Sequence, residues 1–219
     1  MILTNRQIDE AYRRGEIVID PFDEHQIQAA TYDLRVGEQG ATTSTKKLIN
    51  IKESGYLLLQ PGDFGVVTVL EELRLSPQYV GRFGLRSRYA RKGLIATTGP
   101  QIDPGYHGRL IIGVTNLTPN AVSLAYKDDF VSVEFHRLEE ASTKPYSGPY
   151  QDKLELGSEE IEFIAEREGM ALSEVLTTLR SLSQNVATLS SEMKTLRWVI
   201  PLIVGAGIAI VAILVSLKG

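Results

Sequence analysis

The stretch "GPQIDPGYHGRLIIGVTN", residues 99–116, decides how this chain folds. Asp103-Pro104-Gly105-Tyr106 places proline second and glycine third in a four-residue turn, the positions that favour a fixed φ and a positive φ. The chain reverses there, and the segments on either side are expected to form a hairpin. Working outward, "TYDLRVG", "YLLLQPGDFGVVTVLEEL" and "FVSVEFHRL" alternate or run apolar over strand lengths, with Gly, Pro, Asn and Asp between them. Many short strands separated by turns predict a β-sandwich or barrel up to about Leu138. One helix precedes them in "LTNRQIDEAYRRGEI": Thr4 or Asn5 caps it, Ile8, Ala11 and Tyr12 share a face, and Gly15 stops it.

Just upstream of the turn lies "LRSRYARKGL", residues 85–94, in which Arg86, Arg88, Arg91 and Lys92 crowd around the hydroxyl of Ser87. The whole chain of 219 residues has a net charge of -4, which argues against a broad nucleic-acid surface. A small anionic ligand needs only a local cluster. Guanidinium forks bind phosphate oxygens in pairs. There is no cysteine, so disulfides, a thiol nucleophile and a thiolate zinc site are excluded. His25, His107 and His136 show no ligand spacing and read as surface or structural residues. The opening "MILTNRQIDE" lacks the apolar run of a secretory signal.

Beyond the strands the pattern changes. "TKPYSGPYQDKLELGS", residues 143–158, reads as a linker. Leu172, Val175, Leu179, Leu182, Val186, Leu189, Met193 and Leu196 then recur by threes and fours, a heptad seam. From Trp198 to Leu217 no residue is charged, a length that spans the roughly 30 Å hydrocarbon core of a bilayer. Lys194 and Arg197 precede that segment and predict a single span with the head in the cytoplasm. Three parts are expected: a β head over 1–153, a helical coiled-coil stalk over 158–197, and a membrane anchor over 198–217.

Several motifs, in order, make the head resemble the dCTP deaminase and trimeric dUTPase superfamily over about 1–153. They are "ATYDLRVG", "GRFGLRSRYARKGL" and "GPQIDPGYHGRLIIGVTN". The resemblance implies a distorted β-barrel or jelly-roll head that binds deoxynucleoside triphosphates. It implies that Arg86, Ser87 and Arg91 hold the phosphates, with Arg88 standing where the family usually has Ser. It implies that Asp103 orients or activates water and that Tyr106 packs on the deoxyribose. The pyrimidine would lie in a slot lined by Ile111, Ile112 and Gly113. "KPYSGPYQDK" resembles a degenerate deaminase tail, so Tyr146, Tyr150 and Lys153 join the candidate nucleotide-binding residues. Mg2+ would arrive on the phosphates, and no protein metal ligands are expected. The family also implies a homotrimer with active sites shared between neighbours. Trimeric association suits the heptad seam, which one helix alone would leave facing water.

Two departures matter. The deaminase branch carries a Glu general acid/base where this chain has Gly113, and water attack at C4 of cytosine needs such a group; Glu134 is one candidate substitute. The dUTPase branch has a Gln where this chain has Ser132, and its glycine-rich closing tail is missing. Three readings follow: a dUTPase-type nucleotide diphosphatase, a catalytically silent nucleotide sensor signalling to the membrane, and a residual dCTP deaminase. In all three, Lys127, Asp128 and Asp129 read as a solvated turn.

Overall fold

The computed structural model describes residues 1–166, 178, 180–190, 192–194, 197, 199, 201 and 205. The chain divides into two units, Met1–Ser173 and Glu174–Gly219.

The first unit is mainly β. Helix α1 (Asn5–Arg13) starts at Thr4, whose backbone N–H donates to the Gln7 side chain at 3.0 Å, and it buries Ile8 and Ala11. The strands are β1 (Ile17–Asp20), β2 (Tyr32–Thr42), β3 (Ile49–Asn50), β4 (Tyr56–Leu59), β5 (Phe64–Leu75), β6 (Tyr79–Leu85), β7 (Leu94–Ala96), β8 (Gln101–Ile102), β9 (His107–Asn116), β10 (Val122–Ala125) and β11 (Asp129–Arg137). Two one-turn helices, α2 (Ile51–Ser54) and α3 (Ser87–Ala90), interrupt them, and α4 (Ser158–Glu166) follows. Among the described residues, nine strands form one sheet in the order β7-β9-β5-β2-β11-β6-β8, with β1 added to β5 and β3 to β2; β4 and β10 make a separate pair.

The hairpin expected around residues 103–106 is corrected by this topology. The turn is present, with the Tyr106 N–H donating to Asp103 O at 3.1 Å. Its arms separate. Gln101 and Ile102 pair with Arg82 and Gly81 of β6, whereas His107 begins a strand that pairs with β5. The strand that folds back on β9 is β7, with Leu94 opposite Asn116. The turn thus carries the chain from β8, at one end of the sheet path, to β9, the strand next to the other end.

Strand β5 organises the sheet. One edge pairs with β9; the other pairs first with β2, from Gly65 to Val69, and then with β1, from Glu72 to Leu75. The handover leaves a gap in the ladder; the β9 register shifts across it, between Thr68 and Glu72, and the β2 register shifts just before it, between Val67 and Val69. Glu71 fills the gap. Its carboxylate accepts the Arg35 backbone N–H at 2.9 Å and the Arg35 Nε–H at 2.6 Å. The Glu71 side chain is fully buried and that of Arg35 nearly so. Burial pushes the Glu71 carboxyl above its usual range, against the Arg35 bonds that pull it down. The core around this point includes Leu34, Val36, Val67, Val69, Ile112, Val131 and Val133, all fully buried. Each such side chain contributes on the order of 1.5–3 kcal/mol on leaving water.

Residues 158–166, expected to begin a stalk, instead belong to the first unit. Helix α4 buries Ile164 against Ala41, Val66 and Leu156, because its apolar face has a partly open sheet surface to cover. In the second unit, the described residues from Thr178 to Met193 are helical. Leu182, Val186, Leu189 and Met193 of the seam are each more than half exposed. Leu172, Val175, Leu179 and Leu196 lie outside the described residues, as does the expected anchor 198–217 apart from Val199, Pro201 and Gly205. Among the described residues no helix is long and apolar enough to cross a membrane.

Removing one partner of a buried ion pair leaves an uncompensated charge. Glu71→Ala and Arg35→Ala are each expected to destabilise the head by about 3–5 kcal/mol, and the double variant by much less than their sum. Urea unfolding of the two single variants and the double variant checks this cycle.

Candidate functional site

The divergence of β8 and β9 opens a cavity of about 680 Å³ beside the Asp103 turn. Phe64 and Val66 of β5 and Phe83 of β6 form part of its floor; Leu110, Ile111, Ile112 and Gly113 supply the β9 wall. Asp103 and Tyr106 stand at the turn. Tyr146 and Tyr150 of the segment after β11, with Glu159, Glu160 and Phe163 of α4, complete the wall. Seven of the candidate residues therefore meet in one place: Asp103, Tyr106, Ile111, Ile112, Gly113, Tyr146 and Tyr150. The lining is largely apolar and aromatic with a few polar groups, which suits a base and a sugar.

Asp103 is half-buried, and its Oδ1 accepts from the Gln101 side-chain amide at 2.5 Å. That bond orients the carboxylate and leaves Oδ2 for another partner. Tyr106 donates its hydroxyl to Arg109 O at 2.9 Å, so it offers the cavity ring surface rather than a donor. Burial pushes its hydroxyl well above the usual phenol range, and it stays protonated. Tyr146 lies beside it, ring centroids 5.7 Å apart.

Gly113 faces a closed space. A Cβ built there would stand 2.7 Å from Thr97 Oγ1, 3.2 Å from Thr98 Oγ1 and 3.3 Å from Phe64. The Gly113 N–H donates to Thr98 Oγ1 at 2.6 Å, and the Thr97 N–H donates to Gly113 O at 2.9 Å. The loop after β7 thus occupies the place where a longer side chain would project. Glu134, the candidate substitute for an absent glutamate, sits on β11 opposite Arg82, does not line the cavity, and lies 3.3 Å from His136 Nε2.

The cationic stretch does not line this cavity, and much of its charge is answered within the chain. Arg86 pairs with Asp33, whose side chain is fully buried and also accepts from the Ser132 hydroxyl at 2.5 Å. Arg88 pairs with Asp128 at 2.5 Å, and the Tyr89 hydroxyl donates to the same carboxylate at 3.0 Å. Asp128 is therefore a partner of α3 and not a solvated turn residue. Lys92 lies over the Tyr89 ring, 5.7 Å from its centroid. Ser87 is exposed. Arg91 is exposed and makes no ion pair among the described residues. Lys153 is also committed: it pairs with Glu160 and lies 5.1 Å from the Tyr150 ring centroid. Arg86, Arg88 and Lys153 thus each have a carboxylate partner within the chain. Spacing reveals a cluster of cations, but not carboxylates delivered from distant strands.

Glu159, Glu160 and Phe163 were missed by sequence reasoning, since the helical pattern of α4 gave no sign of which surface it covers. Among the described residues, no group of three or more His, Asp or Glu side chains is placed to hold a metal ion.

Comparison with known proteins gives four findings. Residues 2–138 match the family described as dCTP deaminase-like. The dCTP deaminase of Thermococcus sibiricus is 39% identical over 156 residues, covering 71% of this chain and 95% of that protein. The dCTP deaminase, dUMP-forming, of Methanothermobacter thermautotrophicus is 30% identical over 175 residues, covering 71% and 89%. Among solved structures, the 2'-deoxycytidine 5'-triphosphate deaminase from Agrobacterium tumefaciens shares the fold at a TM-score of 0.53 and 17% identity, covering 61% of this chain and 48% of that one, about half its length.

The pairings predict opposite outcomes for two arginines of one motif. Arg86→Ala strands the buried Asp33 carboxylate and is expected to cost on the order of 3 kcal/mol of stability. Arg91→Ala, on the surface, is expected to stay within about 0.5 kcal/mol of wild type. Thermal and urea unfolding of both variants tests the difference.

Proposed function

Because this chain belongs to the dCTP deaminase-like family, we propose that its head binds deoxypyrimidine nucleoside triphosphates and hydrolyses them to the monophosphate and diphosphate, a dUTPase-type reaction. The observation that supports this reading best is the pairing of a poised Asp103 with a closed Gly113 side. The carboxylate needed to direct water is in the cavity, held by Gln101. The space for the deaminase Glu is taken by Thr97 and Thr98. Deamination by the family route lacks its proton carrier, although the relatives carry dCTP deaminase in their names.

In this mechanism the base enters between β9 and the aromatic side chains, with the Tyr106 ring against C2′ of the sugar, where a ribose hydroxyl would clash. Asp103 accepts a proton from water through Oδ2, and the water oxygen attacks a phosphorus atom of the triphosphate. The P–O bond to the departing diphosphate breaks, and the electron pair leaves on its oxygen. Mg2+ supplied with the nucleotide would offset phosphate charge; the described residues form no cage of their own for it. Asp103 acts here as a general base.

The phosphates need cations, and none lines the cavity among the described residues. Trimeric assembly answers that need: the exposed face of "LRSRYARKGL", with Ser87 and Arg91, would serve a neighbour's cavity. The half-exposed Leu182, Leu189 and their companions favour association for the separate reason that three helices can bury what one leaves in water. The apolar segment 198–217 then forms a single C-terminal span with the head on the cytoplasmic side.

A silent sensor is the second reading. It is favoured by the commitment of Arg86, Arg88 and Lys153 to internal carboxylates, which leaves less charge for a triphosphate to exploit.

Purified protein with each dNTP and Mg2+, products separated by chromatography, decides between them. Wild type is expected to release diphosphate from a deoxypyrimidine nucleotide, and Asp103→Asn to lose turnover by at least about 10²-fold with binding within a few fold. Binding without product establishes the sensor, and ammonia release establishes a deaminase. Mass measurement in detergent, with and without residues 158–219, is expected to give a trimer for the full chain; a monomer or dimer in both samples refutes shared sites.

A further inference from the structure

His107 is the first residue of β9, and both of its ring nitrogens face carboxylates. Nε2 lies 2.6 Å from Glu72 Oε1 on β5, and Nδ1 lies 2.5 Å from Asp152 Oδ1 on the segment after β11. A neutral imidazole carries one N–H. One of the two contacts would then set a nitrogen lone pair against a carboxylate oxygen at hydrogen-bond distance, which is repulsive. Only the imidazolium donates to both. The charged groups around it are Glu72 and Arg74 on β5, with Arg74 opposite His107 in the register, Arg109 two residues along β9, and Asp152 with Lys153 on the tail segment.

Asp152 is the anchor of a strap. Its N–H donates to His107 O at 2.8 Å, and the Arg109 N–H donates to Lys153 O at 2.9 Å, so 152–153 lies along the start of β9. The approach is close: a Cβ on Gly108 would stand 2.7 Å from Lys153 O. Asp152 itself has φ 58, a left-handed conformation that a non-glycine residue holds only when its surroundings fix it. From there Lys153 pairs with Glu160, and the Gly157 N–H donates to Glu160 Oε2 at 2.8 Å. Glu160 and Phe163 are cavity wall.

We propose that His107 is a positioning residue whose imidazolium, bridging Glu72 and Asp152, seats the strap 148–166 against β9 and so completes the cavity wall. The seating stands on these contacts alone. Its consequence, that a nucleotide binds more tightly when the strap is seated, rests on the proposed function.

Glu72 and then Asp152 raise the His107 pKa above its ordinary value. A raised value for a cationic group means that the clamp is fully present below the ordinary imidazole pKa and is lost as pH rises through the folded value. Hydrogen exchange of full-length protein in detergent, corrected for intrinsic exchange rates, reads the seating at the Arg109 and Asp152 amides. Protection in wild type is expected to fall by on the order of tenfold between about pH 6 and about pH 9, as befits loss of a charge-assisted bond. His107→Gln is expected to show the low protection at both pH values. Asp152→Asn, an exposed and mild change, is expected to lower the midpoint. Affinity for an α,β-imido dUTP analogue, measured in parallel, is expected to follow the same midpoint. Equal pH responses in wild type and His107→Gln overturn the proposal, whether or not the nucleotide binds. A His107-dependent fall in protection with no nucleotide binding leaves the seating established and removes the nucleotide reading instead.

Discussion

The architecture depends on one carboxylate doing the work of a strand. Strand β5 must exchange one edge partner, β2, for another, β1, without leaving a buried amide unbonded. An orphaned buried N–H costs as much as a lost hydrogen bond and often more. Glu71 resolves this by accepting the Arg35 N–H, and the Arg35 guanidinium then balances the charge that the solution introduces. With β5 held along both edges, β9 is fixed in register on the opposite side, and with it Gly113, opposite Val66. The cavity inherits its geometry from that register. A slip of one residue would turn Gly113 and Ile111 to the other face of the sheet.

The cavity also explains why the turn at Asp103 does not close a hairpin. Two arms bonded to one another would leave no room for a ligand between them. Each arm is claimed by a different neighbour, β6 for Ile102 and β5 for His107, so the turn spans a gap lined by Phe83 on one side and Leu110 on the other. The Gln101 to Asp103 bond then fixes a carboxylate at the mouth of that gap.

Much of this was legible in the sequence, and the limit has a physical form. Apolar runs and turn residues gave β2, β4, β5, β9 and β11, and ordered motifs singled out Asp103, Tyr106, Gly113 and Tyr150, which meet or lie beside one another in the cavity lining. What the pattern could not give is which charges meet. Asp33 neutralises Arg86, Asp128 meets Arg88 across 40 residues, and Glu72 and Asp152 reach His107 across 35 and 45. Local periodicity fixes which face a side chain takes. The identity of its neighbour depends on sheet order, so the carboxylate partners of the cationic stretch could not be read from spacing. The same limit hid α4. Its pattern announced a helix, while the surface it covers, Ala41 and Val66, is created only when β2 and β5 pair.

That helix is where the strap meets the cavity: Glu160 and Phe163 touch the space a ligand would fill. A ligand can shift the position of such a helix only by the difference between its affinities for the seated and released strap. Several contacts within the chain set how strongly the seated strap is favoured before a ligand binds. The imidazolium bridge, largely exposed at Asp152, contributes roughly 1 kcal/mol, and the more buried Lys153–Glu160 pair contributes roughly 1.5–3 kcal/mol. Burial of Ile164 adds a similar amount. A strap held by three such contacts is mostly seated before any nucleotide arrives, so binding alone would move it little. Weakening one of them brings the two states within range of a ligand. His107 is the contact whose strength varies near neutral pH, because an imidazole changes its charge there.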